Sequence, residues 1–364
     1  MASAEVILSQ EAPDSELHRG LRPVQDFIRN AWYVIAFSHE VTAQKGLSRR
    51  CCNDPIVLFR TRDGEAAALF DRCPHRGVPL SQGRPIENSI QCAYHGIRFG
   101  KTGDCTLIPS QEAISRQMRV RSYPLVERAG FIWIWPGSPQ AAKADLLPDH
   151  TELGLDRPGW TATPYLMIEI KANYAMLFEN LLDTSHISFL HGGAIDTGGA
   201  ASSTFNAEFS DRTARLVRTM RGIRPNASVA MQYRLQEGVP VDRELSSVAL
   251  LPNVHQIINK FSFPDDPSQE PHVRINVMPI TPATSNSLYQ FLTMVSSYEE
   301  PNHRAVSDAM RAVLIEDKVA LEAVQLLYDE FGFDLPECSV RADVAAIRGR
   351  KMLHQMAQQD RATA

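Results

Sequence analysis

Two short segments that each pair one cysteine with one histidine constrain this chain more than any other feature. The first reads CPHRG at residues 73–77, and the second reads CAYHG at residues 92–96. A lone cysteine or histidine is usually a core residue without a special role, but two Cys/His pairs beside glycine or proline are typical of a metal centre. The predicted ligands are Cys73, His75, Cys92 and His95.

Two kinds of metal centre use two thiolates and two imidazoles. One is a single structural zinc ion, and the other is a two-iron, two-sulfur cluster whose thiolates bind one iron and whose imidazoles bind the other. Structural zinc sites usually take both members of a like pair from one loop. Here each loop supplies one cysteine and one histidine and can span both irons, so the spacing favours the cluster. The other cysteines, predicted to be structural thiols, are Cys51, Cys52, Cys105 and Cys338.

Both segments lie in a predicted all-β domain. Short runs rich in β-branched and aromatic residues alternate with turn signals between Ala31 and Trp135. The runs are Trp32–Ile35, Pro55–Phe59, Ala66–Phe70, Gly96–Phe99 and Phe131–Trp135. Proline and glycine at residues 136–140 indicate a connection. We therefore predict an N-terminal tail at 1–28, a first domain at 29–140 and a second domain at 141–364.

The second domain is predicted to be α+β, an antiparallel sheet packed with helices. One helix is predicted from Tyr174 to Phe189 and a long one from Asn302 to Phe331, because apolar residues recur there with helical spacing. Alternating patterns between them predict strands. The predicted strands are residues 207–220, 228–235, 246–251, 272–278 and 287–294.

A second group of candidate ligands lies in the sequence NLLDTSHISFLH at residues 180–191. Asn180, Asp183 and His186 recur at every third position and are predicted to share one helical face. His191 follows five residues later, and the apolar neighbours would keep bulk water away. The alternative interpretation is that His186 and His191 are unrelated and do not bind a common metal ion. A non-haem iron that activates oxygen usually has a carboxylate as its third protein ligand.

Asp317 is the candidate for that carboxylate. It interrupts an otherwise apolar stripe on the predicted C-terminal helix, where residues recur with a spacing of four and three. The stripe residues are Val306, Met310, Val313, Ala320, Val324 and Leu327. A buried carboxylate needs a cation, hydrogen bonds or a metal ion. An arginine of the sheet could serve, but two histidines that lack a third ligand favour a metal.

Charge and composition narrow the classes of function. The 364 residues carry a formal net charge of −5 without a dense basic stripe, so nucleic acid is not an expected partner. No apolar run approaches the length of a membrane span, and the first residues lack the pattern of a secretory signal. We therefore expect a cytoplasmic location and no membrane contact. Six cysteines are too few for a disulfide scaffold, which favours metal ligation.

From Asn30 onward the chain resembles the Rieske non-haem iron oxygenases, within them the group of vanillate O-demethylase and dicamba monooxygenase. The resemblance rests on both Cys/His segments, NAWYV at 30–34, LVER at 125–128 before FIWIW at 131–135, and NLLDTSH at 180–186. Residues 316–323 also resemble the segment that carries the group's third iron ligand.

This resemblance implies a Rieske domain with a [2Fe-2S] cluster, followed by a helix-grip catalytic domain with a mononuclear Fe(II). It implies a homotrimer in which the cluster of one subunit serves the iron of its neighbour. In such enzymes the acid that Asp183 resembles bridges a Rieske histidine, here His95, to an iron-ligating histidine, here His186. Asn180 and Asp183 are thus the expected catalytic residues. Electrons would come from a separate NAD(P)H-dependent reductase or ferredoxin.

The implied activity uses O2 to monooxygenate a substituted aromatic compound, by O- or N-dealkylation through methyl hydroxylation with formaldehyde release. An aromatic-ring cis-dihydroxylating dioxygenase and a Rieske electron carrier without catalysis are the alternatives. The chain departs from the group at residues 287–291, SLYQF, where many relatives carry a histidine facing the substrate. Candidate pocket residues, each with a structural role as its alternative, are Asn253, His255, Tyr289 and Phe291.

Overall fold

The chain divides into two units close to residue 147, and the predicted boundary after residue 140 lies shortly before that point. This computed structural model describes residues 5–8, 24, 26–163, 166–196, 199–332 and 337–363. The smaller unit contains residues 28–147 and 281–285. The larger unit contains residues 148–280 and 286–363, together with the described residues before 28. No helix in these described ranges is both long and apolar enough to cross a membrane.

Part of the predicted N-terminal tail is a strand. Glu5–Leu8 form β1, which pairs antiparallel with residues 206–209 of the larger unit. A strand of four residues is too short to show a clear pattern in the sequence. It forms here because its backbone groups make hydrogen bonds to the neighbouring strand. The remainder of that prediction, at residues 1–4, 9–23 and 25, lies outside the described residues.

The smaller unit is all-β, as predicted. Its strands are β2 (Tyr33–Phe37), β3 (Leu47–Cys51), β4 (Asp54–Arg60), β5 (Ala66–Phe70), β6 (Arg84–Ile86), β7 (Ser89–Gln91), β8 (Arg98–Gly100), β9 (Cys105–Leu107), β10 (Leu125–Arg128) and β11 (Phe131–Ile134). They form three sheets, β10-β11-β2, β3-β4-β5 and β6-β7-β8-β9. Every predicted run overlaps a strand. The strands missed have only three to five residues, too few to show a pattern.

The core of the smaller unit fixes the bases of both Cys/His segments. Phe59, Leu69 and Phe99 are fully buried and belong to one apolar cluster. Cys73 and Cys92, each 2% exposed, pack into the same cluster. Because core side chains are closely packed, the two cysteines are held in place by the fold before any metal binds.

The larger unit is an antiparallel sheet with helices, which confirms the predicted α+β class. Its further strands are β12 (Thr161–Ala162), β13 (Leu166–Ile170), β14 (Phe205–Phe209), β15 (Thr213–Ile223), β16 (Val241–Leu250), β17 (Val254–Ser262), β18 (His272–Thr284) and β19 (Ser287–Ser296). The sheet order is β1-β14-β15-β16-β17-β18-β19-β12, and β13 also pairs with β19. Alternate residues of β15 are buried, as expected for a strand with one face covered.

Four helices lie within the described part of the larger unit. They are α1 (Tyr174–Leu182), α2 (Ala227–Tyr233), α3 (His303–Phe331) and α4 (Val344–Thr363). Short 3-10 helices lie at Ser38–Glu40, Leu80–Gln82, Pro139–Ala141, Ala144–Leu146, His186–Ser188 and Arg341–Asp343. The long C-terminal helix was predicted within one residue, whereas α4 was not predicted.

Two of the predicted strands were wrong. The single strand predicted at 207–220 is a hairpin of β14 and β15, closed by a hydrogen bond from Ser210 N to Thr213 O at 2.9 Å. The strand predicted at 228–235 is helix α2, because Asn226 caps its first turn by accepting a hydrogen bond from Val229 N at 2.9 Å. Asn226 is therefore an N-cap residue that indicates the start of a helix, although the alternating pattern after it predicted a strand.

The buried stripe of α3 matches the prediction only up to Asp317. Beyond that residue the buried positions are Leu321, Gln325 and Tyr328, whereas the predicted Val324 and Leu327 are 41% and 50% exposed. The predicted stripe repeated every 3.5 residues, but an α-helix has 3.6 residues per turn. This mismatch moves the buried face by about a third of a residue over three turns, in the direction of the observed one-residue shift.

His255, a predicted substrate contact, is buried between the sheet and α1 instead. Its Nε2 lies 2.8 Å from Ser247 Oγ, which in turn donates to Leu181 O at 2.7 Å. Burial lowers the pKa of His255 to about 3. An unfolded histidine has a pKa of about 6.5, so below that pH the unfolded chain binds a proton that the folded chain does not. This burial therefore makes the protein less stable as the pH falls from about 6.5 towards 3.

Replacing His255 by glutamine is expected to weaken this acid sensitivity. Between pH 7.5 and 5.0 the free energy of unfolding should fall by about 2 kcal/mol more in the parent protein than in His255→Gln. Chemical denaturation at the two pH values measures the difference. The exposed His39 provides the control, because His39→Gln leaves His255 in place and should behave as the parent does. An identical pH dependence of parent and His255→Gln would contradict the expectation.

Candidate metal centres and active site

Two histidines and one carboxylate converge in the larger unit. Asp317 Oδ1 lies 3.6 Å from His186 Nε2 and 3.2 Å from His191 Nε2. The ligand atoms of the three residues all lie within 4.8 Å of one another, and no other such group of three occurs in the described ranges. Two imidazoles and a carboxylate in this arrangement suit the facial ligand set of a non-haem iron.

The environment of the three residues favours a bound cation. Asp317 and His191 are each 2% exposed, and no arginine among the described residues pairs with this carboxylate. Asn180 Nδ2 donates to Asp317 Oδ1 at 3.2 Å. Burial acts to lower the pKa of His191, but the carboxylates of Asp317 and Glu316 outweigh it and raise that pKa. A divalent cation would balance the buried carboxylate without a proton on the histidine.

Both histidines present Nε2 because their other ring nitrogen is engaged. Glu316 Oε2 lies 2.7 Å from His191 Nδ1, so that nitrogen carries the proton and donates it. His186 Nδ1 donates to the backbone oxygen of Asp183. Partners of this kind fix the tautomer and the ring orientation of metal-ligating histidines. Glu316 is a positioning residue that the sequence patterns did not reveal.

Helix α1 ends at Leu182, earlier than the predicted Phe189. Asp183 leaves the helical conformation with ψ at 91°. Its Oδ1 accepts hydrogen bonds from Ser185 N at 2.9 Å and Ser185 Oγ at 2.6 Å, and such local bonds compete with helix continuation. His186 then begins a 3-10 turn. This turn, and not one continuous helical face, sets the positions of Asn180, Asp183 and His186.

The three candidate iron ligands line a pocket that is partly open to solvent and mostly apolar. Small-molecule sites usually combine such a lining with a few polar groups. Its apolar lining residues are Leu181, Ile187, Ile195, Leu245, Ile257, Met278, Met310, Val313 and Leu314. Its other polar lining residues are Thr184, Tyr233, Arg243, Asn259 and Asn276.

None of the four predicted substrate contacts is among the described residues that line this pocket. His255 lies under α1, where it contacts Ser247. Asn253 is buried between β16 and β17, and Tyr289 and Phe291 are buried on β19. The pocket is lined from β16, β17 and β18, and β19 lies beyond them in the sheet order. The sequence alone does not reveal this strand order, so it could not show that β19 lies outside the pocket.

The two Cys/His segments of the smaller unit form loops with the same backbone pattern. Cys73 N donates to Val78 O at 2.8 Å, and Cys92 N donates to Ile97 O at 2.8 Å. The return bonds run from the glycine N–H groups at residues 77 and 96 to the oxygens of the two cysteines, at 2.9 and 3.1 Å. Both glycines have positive φ, 80° and 70°. Two equivalent loops thus hold one cysteine and one histidine each.

The four side chains separate into an inner and an outer pair. Cys73 and Cys92 are buried, whereas His75 and His95 are exposed with ring centroids 4.6 Å apart. The four do not form a group of three ligand atoms within 4.8 Å in the described structure. A single tetrahedral zinc would place all four ligand atoms about 3.5 Å apart. Separate pairs fit a two-iron cluster, one pair to each iron.

Gly96 is expected to stabilise the conformation of its loop, because it can adopt a positive φ. Its φ of 70° is unfavourable for any residue with a side chain, and an added Cβ would lie 3.2 Å from Pro109 Cγ. Gly96→Ala should therefore destabilise the loop by about 1–2 kcal/mol. Loss of the cluster's visible absorbance on heating should shift to lower temperature.

Gly100 supplies the matched control for this substitution. It lies on β8 close to Gly96, has no positive φ, and an added Cβ would make only an ordinary contact, 3.4 Å from Thr106 Cγ2. Gly100→Ala should leave the loss of absorbance unchanged within about 0.5 kcal/mol. Equal effects of the two substitutions would show that the loop conformation is not the cause.

Comparison with known proteins decides the family. Residues 31–124 match the Rieske [2Fe-2S] domain, and residues 170–359, just over half the chain, match the vanillate O-demethylase oxygenase C-terminal domain. The dicamba O-demethylase oxygenase component of Stenotrophomonas maltophilia is 31% identical over 82% of this chain and 88% of that protein. The chain belongs to the vanillate O-demethylase group of Rieske oxygenases.

Another relative of this Rieske oxygenase is matched over a shorter length. The toluene-4-sulfonate monooxygenase iron-sulfur subunit of Comamonas testosteroni is 40% identical over 48% of this chain and 50% of that protein. The match thus spans about half the length of that relative. A crystal structure of dicamba monooxygenase bound to 3,6-dichlorosalicylic acid has a TM-score of 0.84 and 27% identity, and covers 93% of this chain and 99% of that one. The predicted Rieske and helix-grip architecture is confirmed.

The residues of this Rieske oxygenase fit both of its expected metal groups. The paired thiols and imidazoles suit the [2Fe-2S] cluster, and the two histidines with Asp317 suit the mononuclear iron. The sequence patterns missed Arg243, Asn259 and Asn276, the polar pocket residues that lie on β16, β17 and β18. On β16, alternate side chains point to the same face of the sheet, so Arg243 lies on the buried face together with Val241 and Leu245. This alternation was the sequence pattern from which Arg243 could have been predicted to face inward.

Proposed function

We propose that this Rieske oxygenase is the terminal oxygenase component of a multicomponent monooxygenase that acts on a substituted aromatic compound. The observation that carries the proposal is the position of the candidate iron ligands, which line a partly open and mostly apolar pocket. Such a pocket takes a flat apolar molecule and excludes bulk water from the reacting atoms. A Rieske electron carrier without catalysis would have no use for it.

O- or N-dealkylation with formaldehyde release is the reaction we favour. Relatives that match most of the chain are named for it, the dicamba O-demethylase component among them. When bound, the iron supplies oxygen activation with electrons from the [2Fe-2S] cluster. The protein holds both imidazoles by their Nδ1 atoms, through Asp183 O and Glu316, so that each Nε2 would be available to bind the iron. The apolar walls hold the ring and its methyl-bearing substituent.

Electrons would reach the cluster from a separate NAD(P)H-dependent reductase or ferredoxin, as multicomponent Rieske systems require. We infer a cytoplasmic location from this dependence, since reduced nicotinamide is available there. The exposed imidazoles of His75 and His95 are the part of the cluster site that a donor can approach. Asp183 would carry electrons onward from a neighbouring subunit's cluster to the iron site.

A homotrimer is part of the same proposal. Phe189, two residues from His191, is 81% exposed. Helix α3 exposes a stripe of apolar side chains that begins beside Asp317, and exposed apolar patches of this kind mark contact surfaces. The stripe residues are Ile315, Val319, Leu326, Leu327 and Phe331. Light scattering should give the mass of three chains, and Leu326→Glu should lower it.

A substrate screen tests the proposed reaction. The reduced protein with a surrogate reductase should release formaldehyde and take up O2 with at least one methoxy- or N-methyl-substituted aromatic compound. Isotopic O2 should place one labelled oxygen in the products. Two labelled oxygens on adjacent ring carbons would favour the dihydroxylating alternative, and two irons per chain, in place of three, would favour the electron carrier.

A further inference from the structure

Two of the three candidate iron ligands, His186 and His191, lie in one irregular segment at residues 183–203. We call this segment the histidine loop, and the structure describes its residues 183–196 and 199–203. Apart from the 3-10 turn at His186–Ser188, its described part contains no helix or strand. A segment without regular secondary structure is readily displaced unless side chains hold it in place.

Arg218 on β15 joins the two ends of the histidine loop. Its Nε donates to Thr184 Oγ1 at 2.7 Å, and its Nη1 donates to Ser203 O at 2.9 Å. Thr184 lies two residues before His186. The ring of Phe205 supports the guanidinium, with 5.0 Å between the ring centroid and Arg218 Cζ. One rigid, planar group therefore fixes the beginning of the loop relative to its end.

The charge of Arg218 distinguishes it from the other two buried arginines of the sheet. Arg243 pairs with Asp196 at 3.4 Å, and Arg274 pairs with Glu300 at 2.9 Å. Arg218 is equally buried at 1% exposed, but it forms no ion pair within the described ranges, where its Nη2 also has no hydrogen-bond partner. A buried cation without a contacting carboxylate is costly, so stability alone does not account for this arginine.

The polar groups that interact with Arg218 belong to the histidine loop. Burial lowers the pKa of Arg218, and the carboxylates of Asp183 and Asp196 oppose that shift from a distance. Asp196 Oδ2 also accepts a hydrogen bond at 2.7 Å from Ser188 Oγ, which lies between the two histidines in sequence. The hydrogen bonds of Arg218 and its longer-range charge interactions thus act on the same segment.

We propose that Arg218 is a positioning residue for the mononuclear iron site, which holds the histidine loop in the conformation that presents His186 and His191 to the metal. Ligands that are already held in place lose less conformational freedom when the metal binds, and binding is stronger for that reason. The inference rests on the proposed function, because this site is the one proposed to carry out the oxygenation.

The charge of Arg218 would affect the metal in the opposite direction. A buried cation repels a divalent ion, so its removal should raise the affinity for ferrous ion if charge dominates. If Arg218 acts by holding the loop, its removal should lower that affinity. The sign of the change therefore separates the two effects.

The affinity for ferrous ion, measured by anaerobic calorimetry, tests the proposal. A chelator first removes the mononuclear iron, and visible absorbance shows that the cluster is intact. Arg218→Met removes the guanidinium and should lower the affinity at least about tenfold. Arg218→Lys keeps the charge but lacks the planar fork, so it should also lower the affinity about tenfold. Unchanged or higher affinity in either variant would overturn the proposal.

Substitutions of Thr184 test the same contact from the other side. Thr184→Val removes the hydroxyl at similar volume and should lower the affinity about fivefold. Combined with Arg218→Met it should add less than about a further twofold, because both changes remove one shared contact. Thr184→Ser keeps the hydroxyl and should bind ferrous ion as the parent does. Multiplied effects in the double variant would contradict the proposal.

Arg221 provides the matched control on the same strand. Its side chain is 80% exposed and pairs with Asp242 at 3.0 Å. Arg221→Met should therefore leave the affinity for ferrous ion unchanged within about twofold. An equal loss of affinity in Arg221→Met and Arg218→Met would show that the effect is not specific to the histidine loop, and would overturn the proposal.

Melting temperature and formaldehyde release distinguish this inference from a structural role and from the proposed function. A lower melting temperature of Arg218→Met with unchanged affinity for ferrous ion would make Arg218 structural and overturn the inference. Formaldehyde release by the parent together with that unchanged affinity would leave dealkylation intact. Lower affinity in the variants of a parent that releases no formaldehyde would support the inference and count against dealkylation. Absence of ferrous-ion binding by the parent would overturn both.

Discussion

Replacing Asp317 by alanine is expected to remove the catalytic iron and leave the [2Fe-2S] cluster. Asp317 supplies one of three ligands, and the two histidines alone would bind a ferrous ion weakly. Iron should fall from about three to about two atoms per chain, with the cluster's visible absorbance unchanged. Formaldehyde release should fall at least about a thousandfold, because several kcal/mol of transition-state stabilisation are lost with the metal.

Glu316 provides the matched control for Asp317. It is the next residue, is 44% exposed at its side chain, and accepts a hydrogen bond from His191 Nδ1 at 2.7 Å. Glu316→Gln should keep the iron with an affinity about 10- to 100-fold lower, the usual cost of losing a group that orients a ligand. Three irons per chain in Asp317→Ala would mean that the third ligand lies elsewhere in the sequence.

The second large effect is expected from Asp183→Asn. Turnover should fall at least about a hundredfold with all three irons present, because the substitution removes the proposed carboxylate link between a neighbouring subunit's cluster and the iron site. The backbone oxygen that holds His186 is unchanged, so the ligand geometry should survive. The diagnostic measurement is the rate at which the reduced cluster is reoxidised by O2 in the presence of substrate.

Ser185→Ala separates the charge of Asp183 from its placement. The variant removes the 2.6 Å hydrogen bond from Ser185 Oγ to Asp183 Oδ1 but keeps the carboxylate and the backbone bond from Ser185 N. Turnover should fall by less than about tenfold, the cost of one hydrogen bond. If Asp183→Asn reoxidises its cluster at the parent rate, the electrons follow another route.

Local spacing was the basis on which the metal ligands were predicted, and the structure brings His186, His191 and Asp317 together. The CPHRG and CAYHG segments each close on themselves through a glycine with positive φ, so each cysteine and histidine pair could be recognised within five residues. His186 and His191 lie within one short turn. Asp317 was predicted because a carboxylate on a buried helix face is unfavourable without a partner, and because the two histidines without a third ligand favoured a metal over an arginine.

Predictions that depended on packing were the ones that failed. The predicted helix ran through Asp183, where the side chain instead binds Ser185 and ends α1. The apolar stripe of α3 was extended with a repeat slightly too short. His255 and Tyr289 were candidate pocket residues with a structural role as the alternative, and neither is among the described residues that line the pocket. Strand patterns show which side chains point inward but not which helix covers them.

The sequence by itself determined the all-β and α+β classes and the family, and it predicted the two ligand sets, because these depend on residues close together in the chain or on the periodicity of single elements. Only the tertiary structure decided what the pocket presents to a substrate. Arg243, Asn259 and Asn276 come from three strands and meet through the sheet register. Alternation along each strand predicts that the three side chains face inward. Whether they form hydrogen bonds depends on the distances to the neighbours that the fold places beside them, because a hydrogen bond forms only over a narrow range of distances.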